Sequence, residues 1–217
     1  REITIVPDFD TDGICAGTIL YAGLNEMGVK TNLHVPDYHL GHEIQPSVIE
    51  TVMGQFPRTA AIITCDAGTN SRDALTYANH IGLLTFVTDH HVEEGKSLAH
   101  ILINPNRGDE TYPNKEICGA HVAYQLVERY ASVYHPDALS SITWLKTFAG
   151  IGTVADVMGL VYENRDLVRE ALMFTRLLIA TPEPSYTPKQ KSRYEEPDEF
   201  DGLSLDIDRT PTLLAML

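Results

Sequence analysis

Short apolar runs rich in Val, Ile and Thr alternate with longer segments of mixed polarity along the first half of the chain. Short runs of this kind are typical of buried strands, and apolar residues recurring every three or four positions indicate helices. Five strands are predicted, at Ile3–Asp8, Thr31–Val35, Ala60–Cys65, Leu83–Thr88 and Ala99–Ile103. The helices between them are predicted at Gly13–Met27, Pro46–Gln55 and Asn70–His80. This alternation predicts an α/β fold with a doubly wound, mainly parallel five-stranded sheet flanked by helices.

The pattern becomes helical from Cys118 onward. Full or partial helices are predicted at Cys118–Tyr130, Ser141–Ala149, Asp156–Val161 and Asn164–Ile179, with Asn164 as the N-cap of the last one. Residues 181–200 then contain four prolines and many charges, which is typical of a linker or an exposed loop. We therefore expect a folded domain at residues 1–180. Residues 181–217 are expected to be a linker, a tail or the start of a truncated second domain.

The composition narrows the class of protein. Of the 217 residues, 43% are hydrophobic and 21% charged, which favours a packed core over disorder. The net charge of −14 argues against a broad basic surface for duplex DNA. Neither a long apolar run nor a signal peptide is evident, so no membrane partner is predicted. Three scattered cysteines without a Cys-x-x-Cys pair favour buried thiols in a reducing compartment, and we expect a cytoplasmic protein.

Acidic and histidine side chains stand where several of the predicted strands end. They are Asp8, Asp10, Asp12, Asp66, Asp89, His90 and His91, and Asp156 adds a further carboxylate in the helical half. In an open α/β sheet, ligands bind beyond the carboxyl ends of the strands, so these groups should share one crevice. Grouped carboxylates are costly unless cations neutralise them. Carboxylate with imidazole suits manganese, magnesium, iron or zinc, and a binuclear divalent-metal site is the first interpretation.

The segment Asp8–Gly13 alternates carboxylates with other residues. If it stays extended, period two places Asp8, Asp10 and Asp12 on one side. The alternative is an Asp-rich turn that caps the following helix. A calcium loop of the EF-hand type fits poorly, because Ile19 stands where that loop needs glutamate and a buried strand precedes it.

Four ordered motifs resemble those of the DHH family of phosphoesterases, which is named after its Asp-His-His tripeptide. They are Asp8–Gly13, Asp66–Gly68, Asp89–His91 and Gly152–Met158. Further segments are similar to the RecJ branch of that family, whose members are exonucleases specific for single-stranded DNA. They are Ile103–Asn106, Tyr112-Pro113, Cys118–Tyr124 and Glu163–Arg165. Two departures are Gly159, where proline is usual, and His121, where glycine is common. The glycine- and histidine-rich substrate motif of the family's second domain is not evident.

The resemblance implies two divalent metals, usually manganese, with magnesium possible. The implied ligands are Asp8, Asp10, Asp12, Asp66, His90 and Asp156. Asp10 would bind one metal and Asp12 the other, with Asp66 bridging them. His90 and Asp156 would complete the shell of the second metal. Asp8 stands near a position where relatives often use histidine.

The resemblance also implies roles for the remaining polar residues of the third motif. Asp89 would orient a neighbouring histidine or ligand, and His91 would contact the scissile phosphate. Arg107 is a further candidate for gripping a substrate phosphate, with a solvated loop arginine as the alternative. The histidines His34, His39 and His42 are interpreted as residues of a surface loop rather than as another metal site.

The implied activity is metal-dependent hydrolysis of single-stranded DNA from the 5′ end, by a hydroxide that two metals activate. A first alternative is a phosphoesterase acting on short oligonucleotides, cyclic dinucleotides or phosphoadenosine phosphate, which the acidity and the missing second-domain motif favour. Inorganic pyrophosphatase shares the motif set. An alternative of another class is a non-catalytic scaffold that resembles RecJ, but such proteins have usually lost ligands that are retained here.

Overall fold

The computed structural model describes residues 1–180 and contains one five-stranded parallel sheet. The strands are β1 (Glu2–Pro7), β2 (Thr31–Leu33), β3 (Thr59–Cys65), β4 (Leu84–Thr88) and β5 (Ile101–Ile103). Their spatial order is β2-β1-β3-β4-β5, and every neighbouring pair is parallel. The predicted fold class is confirmed. The second and fifth strands are shorter than predicted because pairing at these two edges covers only three residues each.

Helices connect and follow the strands. They are α1 (Thr11–Glu26), α2 (Pro46–Gln55), α3 (Arg72–His80), α4 (Gly119–Tyr134), α5 (Leu139–Ile142), α6 (Lys146–Ala155) and α7 (Glu163–Ala180). Helices α2 and α3 pack with one face of the sheet, in a buried cluster that includes Val6, Ile62 and Val52. Helices α1 and α4 contact the central strands, and α4, α6 and α7 extend that layer into the helical half.

Two local predictions in the helical half are wrong. The predicted helical stretch Asp156–Val161 is irregular, because α6 ends at Ala155 and Val157 takes a positive φ of 57°. Asn164 is not an N-cap: α7 begins one residue earlier. The buried Asn164 side-chain amide instead donates to the carbonyls of Glu116 and Gly159, tying α7 to the preceding loop. The stretch Ser141–Ala149, predicted to be fully or partly helical, is helical throughout, formed by the end of α5, a 3-10 turn and the start of α6.

The thiols of Cys15, Cys65 and Cys118 are free and buried, as predicted. Within residues 1–180, no helix is both long and apolar enough to span a membrane. The predicted linker or partial second domain at residues 181–217 lies outside the described residues.

Candidate metal centre

Three aspartates stand side by side at the carboxyl edge of the sheet. Asp8, Asp66 and Asp89 each follow the last residue of β1, β3 and β4. Their backbone N–H groups donate to Cys65, Thr88 and Ile103, the last carbonyls of the adjacent strands, at 2.9–3.0 Å. The hydrogen-bond ladder therefore continues one residue past each strand. This register places the three carboxylates in one row, as the sequence predicted.

Asp10 and Asp12 reach the same edge through a turn that caps α1, which was the alternative to an extended segment. The strand ends at Pro7 and α1 begins at Thr11, so the carboxylates do not alternate along a strand. Asp10 is the N-cap of α1 and accepts a hydrogen bond from Gly13 N at 2.9 Å. Asp12 lies in the first turn, where its two carboxylate oxygens accept from the N–H groups of Gly119 and Ala120. Asp12 is thus fixed against the N-terminus of α4.

Asp66 carries the most unfavourable electrostatic environment of the site. Its side chain is 3% exposed, and its Oδ1 has no hydrogen-bond partner among residues 1–180. Burial, reinforced by the charges of Asp12, Asp10 and Asp89, raises the pKa of Asp66 to about 11. A buried carboxylate so placed is stable as an anion only beside a positive charge. Asp66 also has a positive φ of 59°, which turns the chain at the end of β3.

His90 and Asp156 present further unpartnered atoms to Asp66. His90 Nε2 lies 3.1 Å from Asp66 Oδ1 and 3.4 Å from Asp156 Oδ2, yet none of the three atoms makes a hydrogen bond within the described part of the chain. Burial raises the pKa of Asp156 as well, although His90 opposes that shift. Three buried ligand atoms that converge without pairing are what a cation site requires.

In the described part of the chain, the potential ligand atoms form three overlapping or adjoining clusters, each with atoms within 4.8 Å of one another. They are Asp66, His90 and His91; Asp12, His90 and Asp156; and Asp8, Asp10 and His42. Among the described residues, no Lys or Arg forms a salt bridge with any of the carboxylates in these clusters. The donor set of carboxylates and imidazoles fits divalent cations, which would supply the missing counter-charge.

His42 is the residue of these clusters that the sequence reasoning missed. Its Nδ1 lies 2.6 Å from Asp8 Oδ2, although 34 residues separate the two in the chain. The loop of the three histidines was predicted as a surface loop rather than as another metal site; the His42 side chain is 65% exposed, and it adjoins Asp8 and Asp10 of the predicted site. Among these histidines, His34 and His39 lie outside the three clusters. A single sequence offers no periodic signal for a loop contact of this range.

Asp89 and His91 form a hydrogen-bonded pair at the rim of the site. His91 Nδ1 donates to Asp89 Oδ1 at 2.7 Å, and Asp89 Oδ2 accepts from Thr69 N at 2.9 Å. Burial alone would raise the pKa of Asp89, but the His91 and Thr69 hydrogen bonds and the His91 charge lower it to about 2. The hydrogen bond with Asp89, together with the Asp89 charge, raises the pKa of His91. Asp89 thereby holds a half-exposed imidazole in one orientation and favours its charged form.

Two asparagines hold the backbone of the Asp-His-His tripeptide. Asn104 is buried, and its Nδ2 lies 2.8 Å from the His91 carbonyl and 2.9 Å from Thr69 Oγ1. Asn104 Oδ1 accepts from Asn106 N, and Asn106 Nδ2 donates to the His90 carbonyl. The turn after β5 therefore fixes the backbone carbonyls of both histidines through hydrogen bonds.

Replacing Asn104 with alanine should destabilise the protein by roughly 1–3 kcal/mol, because it leaves buried carbonyl and hydroxyl groups without a partner. Urea denaturation in the presence of a chelator measures this change in the free energy of unfolding. The matched control is Asn79→Ala, whose exposed amide donates to the Leu98 carbonyl at 3.1 Å. Equal losses in the two variants would show that the Asn104 contacts have no special weight.

Arg107 lies apart from the three clusters. Its guanidinium donates twice to Asp109, at 2.9 and 2.8 Å, and once to the Leu102 carbonyl at 2.8 Å. It lines an open groove with Lys96 and His100 along the β5 edge. A substrate phosphate would have to compete with Asp109 for this side chain.

Fold and site together define a parallel α/β protein with a carboxylate–imidazole centre suited to divalent cations. The chain belongs to the DHH family: the model of that family's N-terminal domain matches residues 2–152. The single-stranded-DNA-specific exonuclease RecJ of Dickeya dadantii is 31% identical over 184 residues, which is 79% of this chain and 31% of the relative. RecJ of Bacillus subtilis is 29% identical over 168 residues, covering 76% of this chain and 20% of the relative.

Solved structures of RecJ proteins are also similar to this chain. A crystal structure of exonuclease RecJ bound to manganese superposes with a TM-score of 0.68 at 25% identity, covering 79% of this chain and 43% of that one. RecJ of Thermus thermophilus in complex with Mn²⁺ gives a TM-score of 0.64 at 26% identity, covering 79% and 24%. The chain spans about a third or less of the length of the curated relatives it matches.

Proposed function

We propose that this domain hydrolyses phosphodiester bonds in single-stranded DNA, from the 5′ end, with two divalent cations and manganese as the preferred ion. The observation that carries the proposal is the convergence of Asp66 Oδ1, His90 Nε2 and Asp156 Oδ2, which are buried and unpartnered. The substrate, the polarity and the choice of manganese rest on similarity to RecJ proteins and to their manganese-bound structures. A cytoplasmic location is part of the same proposal.

Each carboxylate has a place in this scheme. Asp8 and Asp10 would hold one cation, while Asp12, His90 and Asp156 would hold the other. Asp66 would bind both, because its carboxylate adjoins His90 and experiences the charges of Asp10 and Asp12. When bound, such a pair lowers the pKa of water and neutralises charge on the phosphoryl oxygens. In this proposal the protein supplies no nucleophile of its own.

His91 is placed to bind the phosphate itself. Its Nδ1 is engaged by Asp89, which leaves Nε2 free to donate to a phosphoryl oxygen. The raised pKa of His91 keeps the ring protonated to higher pH, and a charged donor binds a phosphate more strongly than a neutral one. Asp89 acts through His91 and is a positioning residue.

Replacing Asp89 with asparagine should lower kcat roughly 10- to 100-fold, the usual cost of losing a partner that orients a ligand or imidazole. Removing the negative charge also lowers the pKa of His91. The limb of the pH–rate profile that reports His91 should then move to lower pH, measured at saturating manganese. In a His91→Gln background the same substitution should cost little, and a full additional loss there would argue against coupling between the two residues.

A phosphoesterase for short substrates is the second candidate, because the net charge of −14 offers little attraction for a long polyanion. The two remaining alternatives are that the domain hydrolyses pyrophosphate, or that it is a scaffold without catalytic activity.

The deciding experiment compares a 5′-labelled single-stranded oligonucleotide, a dinucleotide and pyrophosphate in the presence of manganese. Stepwise release from the 5′ end of the long strand, lost in Asp66→Asn and His90→Ala, is expected. Cleavage of the dinucleotide alone would move the assignment to short substrates, and phosphate release from pyrophosphate alone would move it to a pyrophosphatase. If manganese binds but no substrate is cleaved, the chain acts as a scaffold or needs a further substrate-binding part.

A further inference from the structure

The loop that precedes α2 brings a histidine against the end of β1. His42 Nδ1 lies 2.6 Å from Asp8 Oδ2, and its ring lies 4.7 Å from the ring of Phe9. The Asp8 side chain is 3% exposed, so water can reach little of it. One of its polar partners is this imidazole, which comes from a distant segment of the chain. Its other oxygen accepts only the N–H of Phe9 among the protein groups described.

The chain on the C-terminal side of His42 is anchored to the body of the domain. Ile44 is buried in the cluster beneath α2, and its N–H donates to Ser71 Oγ at 3.0 Å. The same hydroxyl donates to Glu43 Oε2 at 2.5 Å. On the other side, Gly41 turns the chain with a φ of 77°. The loop therefore holds the backbone of His42 near Asp8, while the side chain itself is 65% exposed and can adjust.

We infer that His42 is a protein ligand of the cation held by Asp8 and Asp10, so that the loop at residues 41–45 completes one of the two cation sites. This inference rests on the proposed two-cation function. The ligand atoms of the three residues lie within 4.8 Å of one another. Two ligands of one cation stand roughly 3 Å apart in octahedral geometry, so only a small widening of the Asp8–His42 contact is needed. An imidazole beside two carboxylates favours manganese or zinc over magnesium.

The competing explanation is that His42 only positions Asp8 through a hydrogen bond. Two different substitutions of His42 distinguish these roles. In His42→Asn, the amide Nδ2 can stand where Nδ1 stood and donate to Asp8, but that nitrogen does not bind cations; a rotated amide would offer only its carbonyl oxygen, and then no longer donates to Asp8. His42→Ala removes both functions. His39→Ala is the matched control, because His39 lies three residues earlier, stacks on Tyr38 and is in none of the clusters.

Calorimetric titration of the chelator-treated full chain with MnCl₂ tests the inference. We expect two sites in the wild type and in His39→Ala. In both His42→Ala and His42→Asn, the affinity of one site should fall by roughly 10- to 100-fold or more, since even indirect partners of metal ligands contribute that much. The other site should be unchanged, and free imidazole should restore occupancy in His42→Ala. Thermal melts without metal show whether each variant folds.

Each other outcome has a defined meaning. Wild-type affinity at both sites in His42→Asn, with a loss only in His42→Ala, assigns His42 to positioning and overturns the inference. Equal weakening of both sites in variants that fold also overturns it, because the effect is then not confined to one cation. If the wild type binds two manganese ions and cleaves DNA, and both His42 variants bind manganese with wild-type affinity, the inference fails while the proposed function is retained. A wild-type chain that binds no manganese removes the proposed function together with the inference.

Discussion

Replacing Asp66 with asparagine should abolish manganese-dependent hydrolysis and, at the same time, raise the melting temperature of the metal-free protein. The two effects have one cause. Asp66 is buried with an unpartnered Oδ1 among other carboxylates, so the metal-free folded protein holds this carboxyl group protonated at neutral pH, which costs stability relative to the ionised unfolded state until a cation arrives. The amide has the same shape without the charge, and asparagine tolerates the positive φ of this position. The variant therefore gains stability by losing the group that binds the metal.

The sizes of these effects can be bounded. Metals supply several kcal/mol of transition-state stabilisation, so the loss of activity should be about 10³-fold or more. Without metal, the variant should be more stable by roughly 1–3 kcal/mol, and each kcal/mol corresponds to about 2–4 °C for a protein of this size. Manganese should raise the melting temperature of the wild type but not of the variant. Asp137→Asn, an exposed carboxylate outside the clusters, is the control and should behave like the wild type.

The same residue predicts a pH dependence for the metal-free protein. The folded-state pKa of Asp66 is raised to about 11, far above an unfolded-state value of about 4. The folded state therefore keeps a proton that the unfolded state has lost, and the contribution of Asp66 falls as pH rises through this interval. Between pH 6 and 9 the wild type should lose stability relative to Asp66→Asn, by at most about 1.4 kcal/mol per pH unit. Parallel stability–pH curves for the two proteins would contradict this account.

The parts of the site that follow strands could be predicted from the sequence. Asp66, Asp89 and His90 come directly after apolar runs, and parallel pairing then leaves them little freedom of position. Asp10 and Asp12 were placed in the right crevice, and of the two geometries that the sequence left open, the capping turn is the one that forms. Helix α1 begins two residues earlier than its apolar pattern indicates, because the capping hydrogen bond of Asp10 starts it before the first apolar side chain.

The parts that depend on loops could not be predicted. His42 reaches Asp8 only because Ile44 and Ser71 anchor a loop that has no periodic pattern of its own. The segment after Asp156 has apolar residues at helical spacing, yet Val157 takes a positive φ and the helix stops. Asn164, a suitable capping residue by type, is used instead to bind the carbonyls of the preceding loop. A tertiary contact decides the positions of His42 and Asn164, whereas the turn at Val157 is closed by local hydrogen bonds, from Val157 N to the Val154 carbonyl and from Met158 N to the Thr153 carbonyl.

Replacing Gly152 with alanine should disable the site by displacing Asp12. A Cβ atom at position 152 would lie 2.1 Å from Asp12 Oδ1 and 2.8 Å from Ala120 Cβ, so the Asp12 carboxylate has to move by about 1 Å. Moving it breaks its hydrogen bonds with the N–H groups of Gly119 and Ala120. Displacement by about 1 Å can cost 10²-fold in rate, and overpacking costs roughly 1–3 kcal/mol. We expect both, together with weaker manganese binding at the Asp12–His90–Asp156 cluster.

Gly54→Ala separates this collision from the intrinsic effect of alanine in a helix. Gly54 also lies in a helix, α2, but a Cβ atom there meets nothing within 4 Å. Its replacement should stabilise the protein by roughly 0.5–1 kcal/mol, because alanine loses less conformational entropy than glycine in a helix. Opposite signs of the stability change in the two variants, measured by denaturant unfolding in chelator, are therefore expected. If Gly152→Ala were also stabilised and retained manganese affinity, Asp12 could not be held against α6 as the structure has it, and its assignment as a fixed ligand would fail.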